Sequence, residues 1–285
     1  MNRKTRVAVI GLKGLPAFGG AAAVGESLIK SLQNEYEFTV LSVASHTDKN
    51  NINVEGIPQL VFKNHGKGAL NTLLYYIKAL FYVLTHSHDF IHLHHAESGF
   101  ITPFLRLRYK VIVTFHGIYN YKDPKFSGLH NWFFRFSERL NVKYANHVVS
   151  VSLPDSLYVQ KKYGRAIDYI PNGINLKNDR LPVPGKNQHR DYIFFAAGRI
   201  YEIKGLHLLL TALKNGKPGI PLKIAGDINQ VPQYRSQIDE LSKGLDVTFL
   251  GLIKEKVRLM QLVSEAKFFV FPSLTEAMSM MLLEV

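Results

Sequence analysis

Short runs rich in β-branched and aromatic residues alternate with helix-patterned segments along almost the whole chain. This alternation constrains the fold more than any other feature, because parallel strands can be joined only through long crossovers, usually helices. Strands are expected at 6–10, 38–43, 59–62, 90–94, 111–115, 147–151 and 168–170, and helices at 22–34, 69–85, 98–107, 129–145 and 154–163. A polar stretch at 175–190, carrying Pro182, Pro184 and Gly185, interrupts the series and reads as a linker. A second series follows, with strands expected at 192–196, 222–225, 247–250 and 268–271 and helices at 205–214, 233–243 and 256–266. The expected fold class is therefore α/β: one Rossmann-like domain over 1–174, the linker 175–190, and a second domain over 191–285. Four strands and a single closing helix leave the second sheet short of cover, so this domain is expected to be incomplete.

The balance of 35 basic against 22 acidic residues gives a net charge of +13. Nucleic acid, an anionic membrane surface and phosphorylated small molecules are the partners such a charge attracts. The bases are dispersed, and no run of five or six appears, which argues against nucleic acid. The apolar run after the N-terminus is broken at once by Gly11, and the longest apolar region, 69–84, contains Lys78 and falls short of the about 20 residues a span needs. With no cysteine in the chain, a cytoplasmic location is expected.

Four places could carry chemistry. Gly11-Leu-Lys-Gly14 through Gly19-Gly20 joins the first strand to the first helix, where close backbone approach and a helix N-terminus suit a phosphate. Its spacing is not that of a dinucleotide loop, and a plain glycine turn remains the alternative. Gly198-Arg199-Ile-Tyr-Glu202-Ile-Lys204-Gly205 occupies the equivalent turn of the second domain. Two cations at a helix start oppose the helix dipole and make sense if an anion joins them. His116, before Gly117 at a strand end, is either a core histidine or a ligand-facing one. Among His92, His94 and His95, alternation puts the first two on one strand face and His95 on the other, and Glu97 is the nearest further ligand. No metal site is expected. Lastly, Glu276 and Glu284 stand eight positions apart after the 268–271 strand, the second expected two turns into the following helix and in reach of the same crevice, where two acceptor-only carboxylates suit a polyol; two solvated surface glutamates are the alternative.

These motifs resemble, in order and along the whole chain, those of the retaining GT-B glycosyltransferases of the family-4 type, also called glycosyl transferases group 1. Gly19-Gly20 is similar to their donor-facing loop, Arg199 and Lys204 to their diphosphate clamp, and Glu276-x7-Glu284 to their paired glutamates. Ile170-Pro171-Asn172-Gly173 is similar to the turn before their interdomain crossing. The resemblance implies a GT-B architecture of two Rossmann-like domains facing across a cleft, C-terminally truncated here. It implies a nucleotide-sugar donor as substrate, no cofactor, and a saccharide or lipid-linked saccharide acceptor in cell-surface polysaccharide synthesis. Glu276 would hold donor-sugar hydroxyls, Glu284 the ribose, Gly19 and Gly20 would add backbone donors, and His116 would hydrogen-bond the sugar. Ala277, Met278 and Ser279 depart from the family, which usually has glycines just after the first glutamate. A GT-B epimerase or phosphorylase and an inactive sugar- or lipid-binding remnant are the alternatives. The aromatic stretches at 73–82 and 132–136 are core helices or, with Lys63, Lys67, Arg135 and Arg139, a face for the inner side of a membrane.

Overall fold

A computed structural model describes residues 3–17, 20–47, 50, 52–63, 69–118, 128–174 and 191–285. Gly19, Lys67 and the 175–190 stretch lie outside the described residues. The chain divides into two compact units, Met1–Asn172 and Gly173–Val285.

In the first unit the strands are β1 (Thr5–Lys13), β2 (Tyr36–Val43), β3 (Asn53–Val54), β4 (Ile57–Phe62), β5 (Phe90–His94), β6 (Lys110–Phe115), β7 (His147–Ser150) and β8 (Asp168–Tyr169). They form one sheet in the order β3-β4-β2-β1-β5-β6-β7-β8, parallel except for the β3–β4 pair. Strand side chains alternate between two layers. Ala8 and Ile10 join one core with Leu41, Ile91, Leu93 and Val113, whereas Val7 and Val9 join another with Phe38, Val40 and Ile29. Burial on both faces explains why these strands read as continuous apolar runs.

The helices are α1 (Gly20–Leu32), α2 (Ala69–Thr85), α3 (Thr102–Leu105), α4 (Gly128–Tyr144) and α5 (Leu153–Tyr163). Helix α2 places Tyr75 and Tyr76 in the core, while Phe81 faces outward. The helix expected over 98–107 is instead a 3₁₀ turn, Ala96–Ile101, followed by the single-turn α3. Its close approach to α4 forbids a regular helix there. A Cβ on Gly99 would stand 1.7 Å from the carbonyl oxygen of Ser137, and Asn141 of α4 donates to Ala96 O at 3.1 Å while accepting from Thr102 at 2.6 Å.

In the second unit, β9 (Ile193–Arg199), β10 (Leu222–Asp227), β11 (Val247–Gly251) and β12 (Phe268–Phe269) pair in the order β11-β10-β9-β12, all parallel. Helices α6 (Leu206–Gly216) and α7 (Pro232–Ser242) cover one face, where Phe195, Ile224, Leu210 and Ile238 meet. Helix α8 (Lys256–Glu265) covers the other, with Phe194, Ala196, Met260 and Val263. The expectation of a half-covered sheet is thus corrected at its centre: both faces of β9 are packed. At the edge strand β12, Phe268 is 53% exposed. The last helix, α9 (Met280–Glu284), sets Met281 against the α8 core. Among the described residues no helix is long and apolar enough to cross a membrane.

The Gly99–Ser137 approach generates a test. Gly99→Ala should lower the unfolding free energy of the first unit by about 1–3 kcal/mol, the usual cost of overpacking. Urea unfolding followed by circular dichroism measures it, and a midpoint equal to the parent's would contradict the packing described.

Candidate functional site

Open parallel sheets leave a crevice outside the strand carboxyl ends where the strand order reverses. In the second unit this happens at β9, which has β10 on one side and the much later β12 on the other. Arg199 ends β9 and is exposed, with no ion pair or side-chain hydrogen bond among the described residues. A 3₁₀ turn, Glu202–Lys204, follows and closes on Gly205 at φ 70°. Lys204 Nζ lies 2.5 Å from Glu276 Oε1, with the two side chains 21% and 26% exposed. The loops that carry the pair are joined through their backbones. Leu274 N donates to Ile203 O at 2.8 Å, and a Cβ on Gly205 would stand 2.1 Å from the carbonyl oxygen of Pro272. Glycine is needed at 205 for the left-handed turn and for the close approach.

Glu284 departs from expectation. It does not stand two turns into a helix that starts near Glu276. The chain from Pro272 is non-helical until Met280, and Glu284 is the last residue of α9. Glu284 Oε1 meets Lys256 Nζ, the first residue of α8, at 3.1 Å. The two glutamates therefore belong to two different ion pairs. Sequence reasoning missed Lys256, because nothing local distinguishes it from other surface lysines.

The reversal in the first unit lies at β1, between β2 and β5. Near the carboxyl end of β1, Gly11 N donates to the buried Tyr75 hydroxyl at 2.8 Å, which in turn donates to Leu41 O at 2.6 Å. Lys13 Nζ is 3.9 Å from Glu97 Oε1, which stands just beyond β5. Gly20 opens α1, and a side chain there would meet nothing within 4 Å, so no steric demand for glycine exists at that position.

The same strand ends gather the histidines. His116 follows β6, and its Nε2 is 2.8 Å from Nδ1 of the buried His94, the rings stacked 5.2 Å apart. The His92 ring lies tilted against that of His94, centroids 4.2 Å apart, and bonds Thr114 Oγ1 at 2.9 Å. His95 was expected on the opposite face. Its left-handed backbone, φ 68°, instead brings its ring within 5.2 Å of His116. His116 Nδ1 is buried with no hydrogen-bond partner among the described residues. Burial holds His92 down at about 4. Burial, then the neighbouring histidines, hold His94 and His116 well below the ordinary value. Among the described residues no three His, Cys, Asp or Glu side chains form a metal-binding group.

Asp155 was also missed. Fully buried, it accepts from Ile118 N at 3.0 Å and so anchors the chain two residues past His116. Burial pushes its carboxyl up to about 6. The Ser152 cap, whose side chain accepts from Asp155 N, is the one local sign that this aspartate turns inward.

These shifts have opposite signs. Below pH 6.5 the unfolded chain protonates His92, His94 and His116 while the folded one does not, so stability falls on acidification. Asp155 acts the other way between about 6 and its ordinary 3.8, because the folded state keeps its proton longer. Three groups against one leave a net loss, each worth about 1.4 kcal/mol per pH unit at full slope. The melting temperature of the first unit should fall from pH 6.5 to pH 5, and a flat profile over that interval would contradict the histidine environments.

No curated protein matches the chain. Among solved structures, sucrose-phosphate synthase from Thermosynechococcus elongatus aligns with a TM-score of 0.76 at 18% identity, over 99% of this chain and 78% of that one. HepE from Anabaena, in complex with UDP and glucose, aligns with 0.76 at 21%, over 98% and 77%. The catalytic domain of starch synthase IV from Arabidopsis thaliana, bound to ADP and acarbose, aligns with 0.71 at 13%, over 98% and 80%. At these identities the likeness is one of fold. Residues 18–178 match the family model Glycosyltransferase Family 4, and residues 178–285 match Glycosyl transferases group 1. The chain belongs to Glycosyltransferase Family 4 and is a glycosyltransferase of the GT-B type.

Proposed function

We propose that this glycosyltransferase moves a sugar from a nucleotide-sugar donor to a saccharide or lipid-linked saccharide acceptor, with retention of configuration, in cell-surface polysaccharide synthesis. The observation that carries the donor reading is the grouping of Arg199, Lys204 and Glu276 at the strand-order reversal of the second unit. The guanidinium of Arg199, without an ion-pair partner among the described residues, offers a planar fork to phosphate oxygens, and Lys204 a point charge. Both stabilise the charge that grows on the departing diphosphate. Glu276 accepts hydrogen bonds from sugar hydroxyls, and Glu284 from the ribose. His116, its ring fixed by His94, serves as a hydrogen-bonding group for the transferred sugar. Gly19 and Gly20 supply backbone donors. The donor is a substrate, and the reading requires no cofactor. Retention rests on the Glu276–Glu284 spacing, which is that of the retaining family-4 type.

Work at the inner membrane face is supported by α4. Its exposed side carries Trp132 stacked on Phe136 at 5.4 Å, together with Arg135, Arg139 and Lys143. Aromatic and basic residues on one helix face suit an interface between apolar lipid and anionic headgroups.

Two measurements test this reading. Arg199→Ala and Lys204→Ala should each weaken nucleoside diphosphate binding by about 1.5–3 kcal/mol, the scale of a charge-assisted hydrogen bond. Calorimetry showing parental affinity in the double variant would refute the donor assignment. The protein should also co-sediment with phosphatidylserine-containing vesicles at low salt, and less so at physiological salt, where screening limits the attraction to about 8 Å. Absence from the vesicle pellet at low salt would refute the membrane assignment.

A further inference from the structure

Lys204 and Glu276 occupy each other, and this bears on what the site prefers to bind. Their ion pair is not a loose surface contact between two long side chains. Lys204 closes a 3₁₀ turn that ends on a left-handed glycine, and Glu276 lies four residues beyond a carbonyl, Pro272 O, that faces that glycine. The Leu274–Ile203 backbone hydrogen bond ties the two loops between these points. Both charged groups are largely covered, at 21% and 26% exposure. Arg199, one turn earlier, has no such partner among the described residues.

We infer that Lys204 and Glu276 form an exchange pair, which makes the site favour an intact nucleotide sugar over the free nucleoside diphosphate. The inference rests on the donor reading above. A diphosphate can meet Arg199 without displacing a partner among the described residues. To take Lys204 as well, it must remove Glu276 from the ammonium. A carboxylate set free in this way stands beside an anion and has lost its charge partner, which is costly for a half-buried group. Hydroxyls of the transferred sugar are donors and replace the ammonium on the acceptor-only Glu276 carboxylate; the ribose hydroxyls, which a free nucleoside diphosphate also carries, go to Glu284 in the same reading. An intact nucleotide sugar therefore satisfies both halves of the broken pair at once. A nucleoside diphosphate satisfies one half and strands the other. After transfer the sugar no longer covers Glu276, and the carboxylate competes again for Lys204. The same pair that admits the donor thereby weakens the hold on the nucleotide product.

The test is a binding cycle on the full chain by calorimetry. The probes are uridine, adenosine and guanosine diphosphates and their glucose, galactose and mannose conjugates. Glu276→Gln keeps the shape and removes the charge. It should bind the preferred nucleoside diphosphate about three- to tenfold tighter, the size of coupling seen between contacting residues. It should lose the parent's preference for the best-bound conjugate over that diphosphate. In a Lys204→Met background the gain from Glu276→Gln should vanish. A gain of equal size in that background would mean simple repulsion between Glu276 and phosphate, and would overturn the exchange. No gain in the parent background would mean that Lys204 holds carboxylate and phosphate together, and would overturn it too. In both cases the donor reading survives, provided Arg199→Ala and Lys204→Ala still weaken binding. If no nucleoside diphosphate binds the parent chain, or if those two variants bind as the parent does, the donor reading itself falls. Glu276→Ala should reproduce the Gln result, and thermal unfolding of each variant confirms that the second unit remains folded.

Discussion

Parallel pairing on both flanks of β1 and of β9 is the constraint on which the rest of the structure depends. Each strand takes neighbours reached by connections running in opposite directions, β2 and β5 in one sheet and β10 and β12 in the other. Each must bury both faces, which explains the two apolar layers around β1 and the opposed clusters around β9. The turns leaving such strands cannot cover their own carboxyl ends, because they diverge to either side. A crevice is left where a ligand fits. Arg199, Lys204 and Glu276 occupy one such place, and the histidines with Lys13 and Glu97 the other.

The two places differ in electrostatics. In the second unit, opposite charges are paired, Lys204 with Glu276 and Lys256 with Glu284. A site of that kind suits a ligand that is itself charged at one end and rich in hydroxyls at the other. In the first unit, burial drives charge out: desolvation holds His92, His94 and His116 toward the neutral form, with neighbouring histidines adding to it at His94 and His116. Neutral stacked imidazoles are hydrogen-bonding groups of fixed orientation, and in each such ring one nitrogen donates while the other accepts. Asp155, through Ile118 N, fixes the chain that leaves this cluster.

Much of this was legible in the chain itself, for a local reason. A buried parallel strand writes a short apolar run and a covered helix writes a longer periodic one, so β5 and α2 fall where the pattern puts them. Turn chemistry is also local, and the Arg199–Gly205 segment could be recognised as a cation-bearing strand-to-helix turn before its partner loop was known. The segment 96–105 was misread because its shape is imposed from outside: Ser137 of α4 presses on Gly99, and no feature of the segment announces it.

The sequence by itself determined the α/β class, the two series of strands, and the residue types at the strand ends, because these follow from periodicities of a few residues. Tertiary structure alone decided which charge meets which. Lys204 and Glu276 are 72 residues apart and become partners only because β12 pairs with β9 and Gly205 lets the two loops touch. Glu284 went to Lys256 because the backbone stays non-helical through Ser279 and α9 begins late. His94 and His116 met because β5 and β6 are neighbours in register, with His94 opposite Thr114. Strand order and register are long-range properties. They depend on which faces can be buried together, and a short window of sequence contains no information about its eventual neighbour.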